Sequence, residues 1–121
     1  MPRGTDDLCQ EIVPSHVSAW RDAGGRCHLY SVEQILFYRA HLPYGVFAVF
    51  TGSIRLEYGR SDKMKIVSGR PLLLGLRAIL EGRDYPATAV VNDRAWVSFF
   101  DRAWIGQWGD RAPSWVRPYV V

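Results

Sequence analysis

Only two cysteines, Cys9 and Cys27, occur in the 121 residues. A disulfide scaffold needs more, and this pair lacks the close spacing that presents two thiolates to one zinc ion. Reduced thiols in a cytoplasmic protein are therefore the expectation. Histidine is also scarce, with His16, His28 and His41. No His-x-His pair stands near a glutamate, so the donor set of a metal-dependent cupin barrel is missing from the sequence pattern. Basic residues outnumber acidic ones by 15 to 12, a net charge of +3, but they are scattered along the chain. Without a basic run there is little electrostatic footing for nucleic acid. No apolar run reaches the roughly 20 residues of a membrane span. Met1 to Asp7 has no apolar stretch of the signal-peptide kind. Neither a Gly-x-Ser-x-Gly elbow nor a phosphate loop ending in Lys-Ser/Thr is present.

What remains is apolar and aromatic. Hydrophobic residues make up 48% of the chain and charged ones 22%, with five Trp, six Tyr and five Phe. That balance excludes a disordered segment, and the aromatic content suits strands better than a helical bundle. The length predicts one domain, residues 1–121, with a helical lead over 5–24, strands over about 26–100 and a closing helix and tail over 101–121.

Thr5 or Asp6 reads as the N-cap of a first helix carrying Leu8, Ile12 and Val13, with Pro14 breaking it. A second short helix is expected from Ser15 to Ala23, ended by Gly24-Gly25. Strands are expected at Arg26–Tyr30, Val32–Tyr38, Val46–Thr51, Ser53–Tyr58, Lys63–Val67, Leu72–Leu74, Ala87–Val91 and Trp96–Phe100. The turns between them fall at His41-Leu42-Pro43-Tyr44-Gly45, Gly52, Gly59-Arg60-Ser61-Asp62 and Asn92-Asp93-Arg94. The sharpest signal is Ser53–Tyr58, where Ile54, Leu56 and Tyr58 alternate with Ser53, Arg55 and Glu57. With Val46–Thr51 and Gly52 it reads as a hairpin. Gly75–Glu81 predicts a short helix, and Asp101 is placed to cap a helix bearing Trp104, Ile105 and Trp108. Trp104, Trp108 and Trp115 form either a stripe packed on the strands or a partner-binding stripe. The tail from Gly109 is expected to wrap the surface. Short strands in this number, with helices at the edges, predict a mainly β, antiparallel jelly-roll β-barrel.

Three segments, in this order, resemble the cyclic-nucleotide-binding domain family. Gly45-Val46-Phe47-Ala48-Val49-Phe50-Thr51-Gly52-Ser53-Ile54-Arg55-Leu56 is similar to the family's strand–Gly–strand unit. Gly75-Leu76-Arg77-Ala78-Ile79-Leu80 resembles the opening of its phosphate-binding cassette. Tyr85-Pro86-Ala87-Thr88-Ala89-Val90-Val91 resembles the strand that closes it. The likeness covers roughly residues 26–108. In the catabolite activator and fumarate–nitrate regulators a DNA-reading helix-turn-helix follows the barrel. Only 13 residues follow Trp108 here, so a stand-alone module without a DNA-binding domain is expected.

The resemblance also implies a pocket chemistry. A buried cyclic phosphate needs compensation, which the family supplies from helix N–H groups and an arginine, while a glutamate holds the ribose hydroxyl. Leu76 stands where that glutamate is expected, and Tyr85, before Pro86, where the arginine is expected. The candidate pocket is Gly75, Leu76, Arg77, Ala78, Arg83, Tyr85, Ala87 and Thr88. It should favour a neutral or apolar guest or be filled by its own side chains, and Arg77 or Arg83 could substitute for the missing cation. The Tyr85–Thr88 segment looks more like the fumarate–nitrate branch, but two cysteines cannot hold a four-iron cluster unless two chains share one. Haem would need His16, His28, His41 or the Cys27-His28 pair. The expectation is a non-enzymatic regulatory module with no metal or cofactor, acting on an unidentified small ligand or protein partner, a homodimer being left open. A cupin-like metal enzyme is the alternative.

Overall fold

A computed structural model describes residues 8–23, 26–59, 63–108 and 111–120. Among the described residues nine strands form two antiparallel sheets: β1 (Cys9–Glu11), β2 (Arg26–Tyr30), β3 (Ile35–Phe37), β4 (Gly45–Val49), β5 (Ser53–Glu57), β6 (Met64–Ser68), β7 (Leu72–Leu74), β8 (Thr88–Asp93) and β9 (Ala95–Asp101). The first sheet has the order β1-β7-β4-β9-β2 and the second β3-β8-β5-β6. The described residues also form short α-helices: α1 (Val17–Asp22), α2 (Leu76–Leu80), α3 (Arg102–Gly106) and α4 (Arg117–Val120). This is the mainly β, jelly-roll arrangement expected, with one correction. The two sheets are not hydrogen-bonded to each other along their edges, so they face one another as an open roll rather than a closed barrel.

The expected hairpin at Gly52 is also corrected. β4 pairs with β7 and β9, whereas β5 pairs with β6 and β8. Gly52 therefore carries the chain from one sheet to the other, as Asp93–Ala95 does between β8 and β9. Such crossings define a jelly roll, because successive strands contribute to opposite layers. Gly52 has φ +90, and a Cβ there would lie 2.3 Å from the Arg94 carbonyl oxygen and 2.7 Å from Ala95. Both the positive φ and the closeness of fixed backbone forbid a side chain. Gly52→Ala should cost about 2–3 kcal/mol in urea unfolding. A loss under about 1 kcal/mol would mean that the crossing can relax.

Two cores sit on either side of the first sheet. The inner one, between the sheets, holds Phe37, Phe47, Ile54, Leu56, Leu74, Tyr85 and Val97. The outer one holds Trp20, Val46, Ala48, Leu73, Leu76, Phe100, Ile105, Val116 and Tyr119. β4 and β7 are buried on both faces, which explains why Val46–Val49 and Leu72–Leu74 read as unbroken apolar runs. β5 keeps the period of two, with Ile54 and Leu56 fully buried and Arg55 turned outward to bind Glu33 at 3.0 Å and Glu57 at 2.7 Å.

Four further expectations are corrected or refined. Cys9–Glu11 is a strand on β7, not part of a helix; the proposed cap residues Thr5 and Asp6 lie outside the described residues. The second lead helix is a 3-10 turn (Pro14–His16) running into α1, and its proposed stop at Gly24-Gly25 also lies outside them. The strand expected over Val32–Tyr38 shrinks to β3, because Glu33 adopts φ +75 and turns the chain. The tail does not merely wrap the surface: Ala112, Val116 and Tyr119 are buried in the outer core. Asp101 caps α3 as expected, accepting from the Trp104 amide at 2.9 Å.

Candidate functional site

The cassette runs from the end of β7 through α2 to the start of β8. Gly75 stands at its entrance with φ +91, a left-handed conformation that favours glycine. Its N–H donates to the Leu8 carbonyl at 3.1 Å, tying the cassette to the lead segment. α2 is a helix of five residues, closed by Arg83 N–H donating to Ala78 O at 2.9 Å.

Tyr85 dominates the interior. Only 1% of it is exposed, and its ring stacks on Phe37 at 3.9 Å between centroids with 19° between planes. Tyr44 meets the same ring edge-on at 5.9 Å. A Cβ on Gly75 would come within 2.9 Å of the Tyr85 ring, so the glycine is also what lets the ring lie there. The Tyr85 hydroxyl donates to the Gly45 carbonyl at 2.7 Å. On either side of the ring the backbone is pinned: Tyr85 N–H donates to His41 O at 3.0 Å, and Ala40 N–H donates to Tyr85 O at 2.8 Å. Burial pushes the phenol up to about 12, the Gly45 amide offsetting part of this by donating to the hydroxyl.

Structures with this architecture are known. The chain superposes with a TM-score of 0.72 and 20% identity on a protein of a cyclic-GMP-dependent signalling pathway that regulates bacterial phytopathogenesis, covering 92% of this chain and 90% of that one. The catabolite activator protein of Thermus thermophilus gives 0.61 and 18% identity over 90% of this chain and 50% of its own. The regulatory domain of Toxoplasma gondii protein kinase A, crystallised with cyclic AMP, gives 0.57 and 14% identity over 68% of this chain and 33% of its own. The chain has the fold of a cyclic-nucleotide-binding domain. No family model and no curated protein matches the sequence.

Within that fold the eight cassette candidates divide. Gly75, Ala78, Tyr85 and Ala87 come together at the inner core. Leu76 does not join them: it is fully buried, but in the outer core with Trp20 and Phe100. Thr88 begins β8, its hydroxyl accepting from the Arg39 amide at 2.9 Å. Arg77 and Arg83 converge on one carboxylate, Glu81, at 3.3 and 2.8 Å. That pairing holds Glu81 below the usual carboxylate range, Arg77 being the larger influence. Phe37, Tyr44 and Gly45, which with Tyr85 form the filled interior, read in the sequence as strand and turn residues and not as part of the pocket. They meet it only through long-range contacts, Gly45 from 40 residues away.

The histidines occupy three separate elements. His16 Nδ1 shares a 2.9 Å hydrogen bond with the Tyr119 hydroxyl, and His41 lies in the turn beside Tyr38. On β2 the neighbours Cys27 and His28 project from opposite faces, as successive strand residues must, so they cannot converge on one haem iron. Among the described residues no three His, Cys, Asp or Glu side chains cluster as a metal site, and no helix is long and apolar enough to cross a membrane.

Proposed function

We propose that this domain is a non-enzymatic regulatory module whose cassette is shut by its own side chain, so that it does not hold cyclic AMP in the manner its fold suggests. The observation that carries this is Tyr85, wholly buried, stacked on Phe37 and bonded to the Gly45 carbonyl. The cation that a cyclic phosphate would need is replaced by a neutral phenol already in use. The acid expected to grip a ribose is replaced by Leu76, which is buried in the other core.

The size of the loss supports the reading. Each missing charge-assisted contact is worth about 1.5–3 kcal/mol, so two weaken binding by roughly a hundredfold to ten-thousandfold. Arg77 and Arg83 are drawn to Glu81, and turning either toward a phosphate means giving up that carboxylate. Bd1971 has been crystallised with cyclic AMP and with cyclic GMP; the fold is therefore compatible with such ligands when the cassette is suitably built. A guest of this cassette would be neutral or apolar and would have to displace Tyr85.

Calorimetric titration of the chain with cyclic AMP and cyclic GMP should give no saturable heat up to about 1 mM. Low-micromolar binding that Arg77→Ala abolishes would overturn the proposal and show the arginine acting as the substitute cation.

A further inference from the structure

β2 carries its polarity on the face that should be apolar. Its register sets Arg26, His28 and Tyr30 opposite Phe99, Val97 and Ala95 of β9. Directly paired residues share a face. Ala95 and Val97 belong to the inner core, and Phe99 packs against it, so Arg26 and His28 project toward the space between the sheets. Cys27 and Leu29 take the outer face instead. A strand ordinarily turns apolar residues toward the core side; this edge strand sets its basic residues there instead, still exposed to water at the open end.

The reversal coincides with an opening. β2 ends the first sheet and β3 ends the second. Beside them lies a cavity of about 410 Å³ lined in part by Arg26, His28, Tyr30, Tyr44, Phe47 and Phe99. That volume falls within the range of small-ligand sites. Tyr44, Phe47 and Phe99 form a continuous aromatic wall, with Phe99 5.7 Å from Tyr44 and 5.1 Å from Phe47. Among the described residues no carboxylate lines the cavity and none forms an ion pair with Arg26. A guanidinium and an imidazole, both hydrogen-bond donors, thus face an aromatic surface with no counter-ion among the described residues.

We propose that this seam, which adjoins the cassette through Tyr44 and opens beside β2, is a second binding site for a small organic anion with a flat apolar body, such as an aryl carboxylate. The ring packs on the Tyr44–Phe47–Phe99 wall, and the anion is held by Arg26 with His28 beside it. The proposal does not rest on the cassette's being shut.

The test is a two-dimensional amide NMR titration of the chain with 2-naphthoate, compared with the neutral alcohol 2-naphthalenemethanol. Saturable shifts are expected over Arg26–Tyr30 and at Tyr44 and Phe99, with the acid binding about tenfold tighter than the alcohol. Arg26→Gln, a change at an exposed position, should remove that tenfold advantage while leaving the spectrum folded. Four results would overturn the proposal: no shifts up to about 1 mM, equal binding of acid and alcohol, an Arg26→Gln chain that binds like the parent, or shifts confined to the outer face around Leu29 and Trp96. Shifts centred on Ala78 and Tyr85 would defeat it too, and would count against the shut cassette as well.

Discussion

Replacing Trp20 with alanine is expected to destabilise the chain by about 3–5 kcal/mol, the range for emptying a buried aromatic site. Trp20 is completely buried, and its ring meets Phe100 at 5.3 Å, Trp115 at 5.2 Å, Trp104 at 5.8 Å and Tyr119 at 5.9 Å. Its indole N–H donates to the Trp115 carbonyl at 3.0 Å. These partners come from β9, α3, α4 and the segment before α4, while Trp20 itself comes from α1. One side chain therefore joins the two ends of the described chain over the outer face of the first sheet. Tyr119 reinforces the joint, its hydroxyl accepting from the Val13 amide at 2.7 Å. Alanine leaves both a cavity and an unpaired carbonyl, and small rings cannot move in to fill it, because the neighbours are held by their own strands and helices. Guanidinium unfolding would report the loss. Limited trypsin digestion should cut faster after Arg111, since the segment leading to α4 loses its anchor. A loss below about 1.5 kcal/mol, or unchanged cleavage after Arg111, would show that the ends are held by something other than Trp20.

The three tryptophans of the C-terminal region illustrate what spacing could reveal. Trp104, Trp108 and Trp115 were legible as an apolar set, and the Asp101 cap as the start of their helix, since both signals lie within a few residues of each other. That the set closes on Trp20 was not legible, because nothing local in Val17–Asp22 marks its partner 95 residues away. The same limit explains Cys9–Glu11. Its neighbourhood carries helix-start residues and a helical spacing of apolar side chains, yet pairing with Leu72–Leu74 makes it a strand. Sheet partners override local preference wherever the preference is modest.

Alternation gave the right element and the wrong partner at Gly52. Ile54 and Leu56 face the inner core as their period of two requires, but a reversal at glycine looks alike whether the strands pair or diverge into facing sheets. At β2 the difficulty was of another kind. Arg26, His28 and Tyr30 against Cys27 and Leu29 do alternate, and an inward face of basic and aromatic residues could only be recognised once β9 fixed which side was inward.

The cassette shows both outcomes in one motif. Its position, its short helix and its left-handed glycine follow from Gly75 and the apolar run before it. Side-chain direction does not. The αL turn at Gly75 sets Leu76 toward the outer core and Ala78 toward the inner one, so residues two apart serve different layers.

Tyr85→Ala is expected to cost about 3–5 kcal/mol, comparable with the tryptophan, because it empties the space between Phe37, Tyr44 and Gly75. Tyr85→Phe separates the ring from the hydroxyl. It keeps the stack on Phe37 and removes the donor to the Gly45 carbonyl, for about 1–3 kcal/mol near neutral pH. The pH dependence then identifies the group. In the native chain burial raises the phenol to about 12, against an ordinary value near 10 in the unfolded chain. The neutral phenol is the native form, so its contribution is complete below pH 10. As pH rises from 10 to 12 the unfolded chain releases the proton first, and stability falls by about 1.4 kcal/mol per pH unit, up to roughly 2–3 kcal/mol. Tyr44, raised chiefly by its own burial, adds a loss of the same sign. Tyr85→Phe should remove the Tyr85 share of this alkaline decline, so the gap between parent and variant narrows as pH climbs from 10 to 12. Urea midpoints measured from pH 8 to 12 would show the convergence. Curves that stay parallel over that interval would mean the Tyr85 hydroxyl titrates alike in both states, and the buried, internally bonded phenol on which the shut cassette rests would have to be given up.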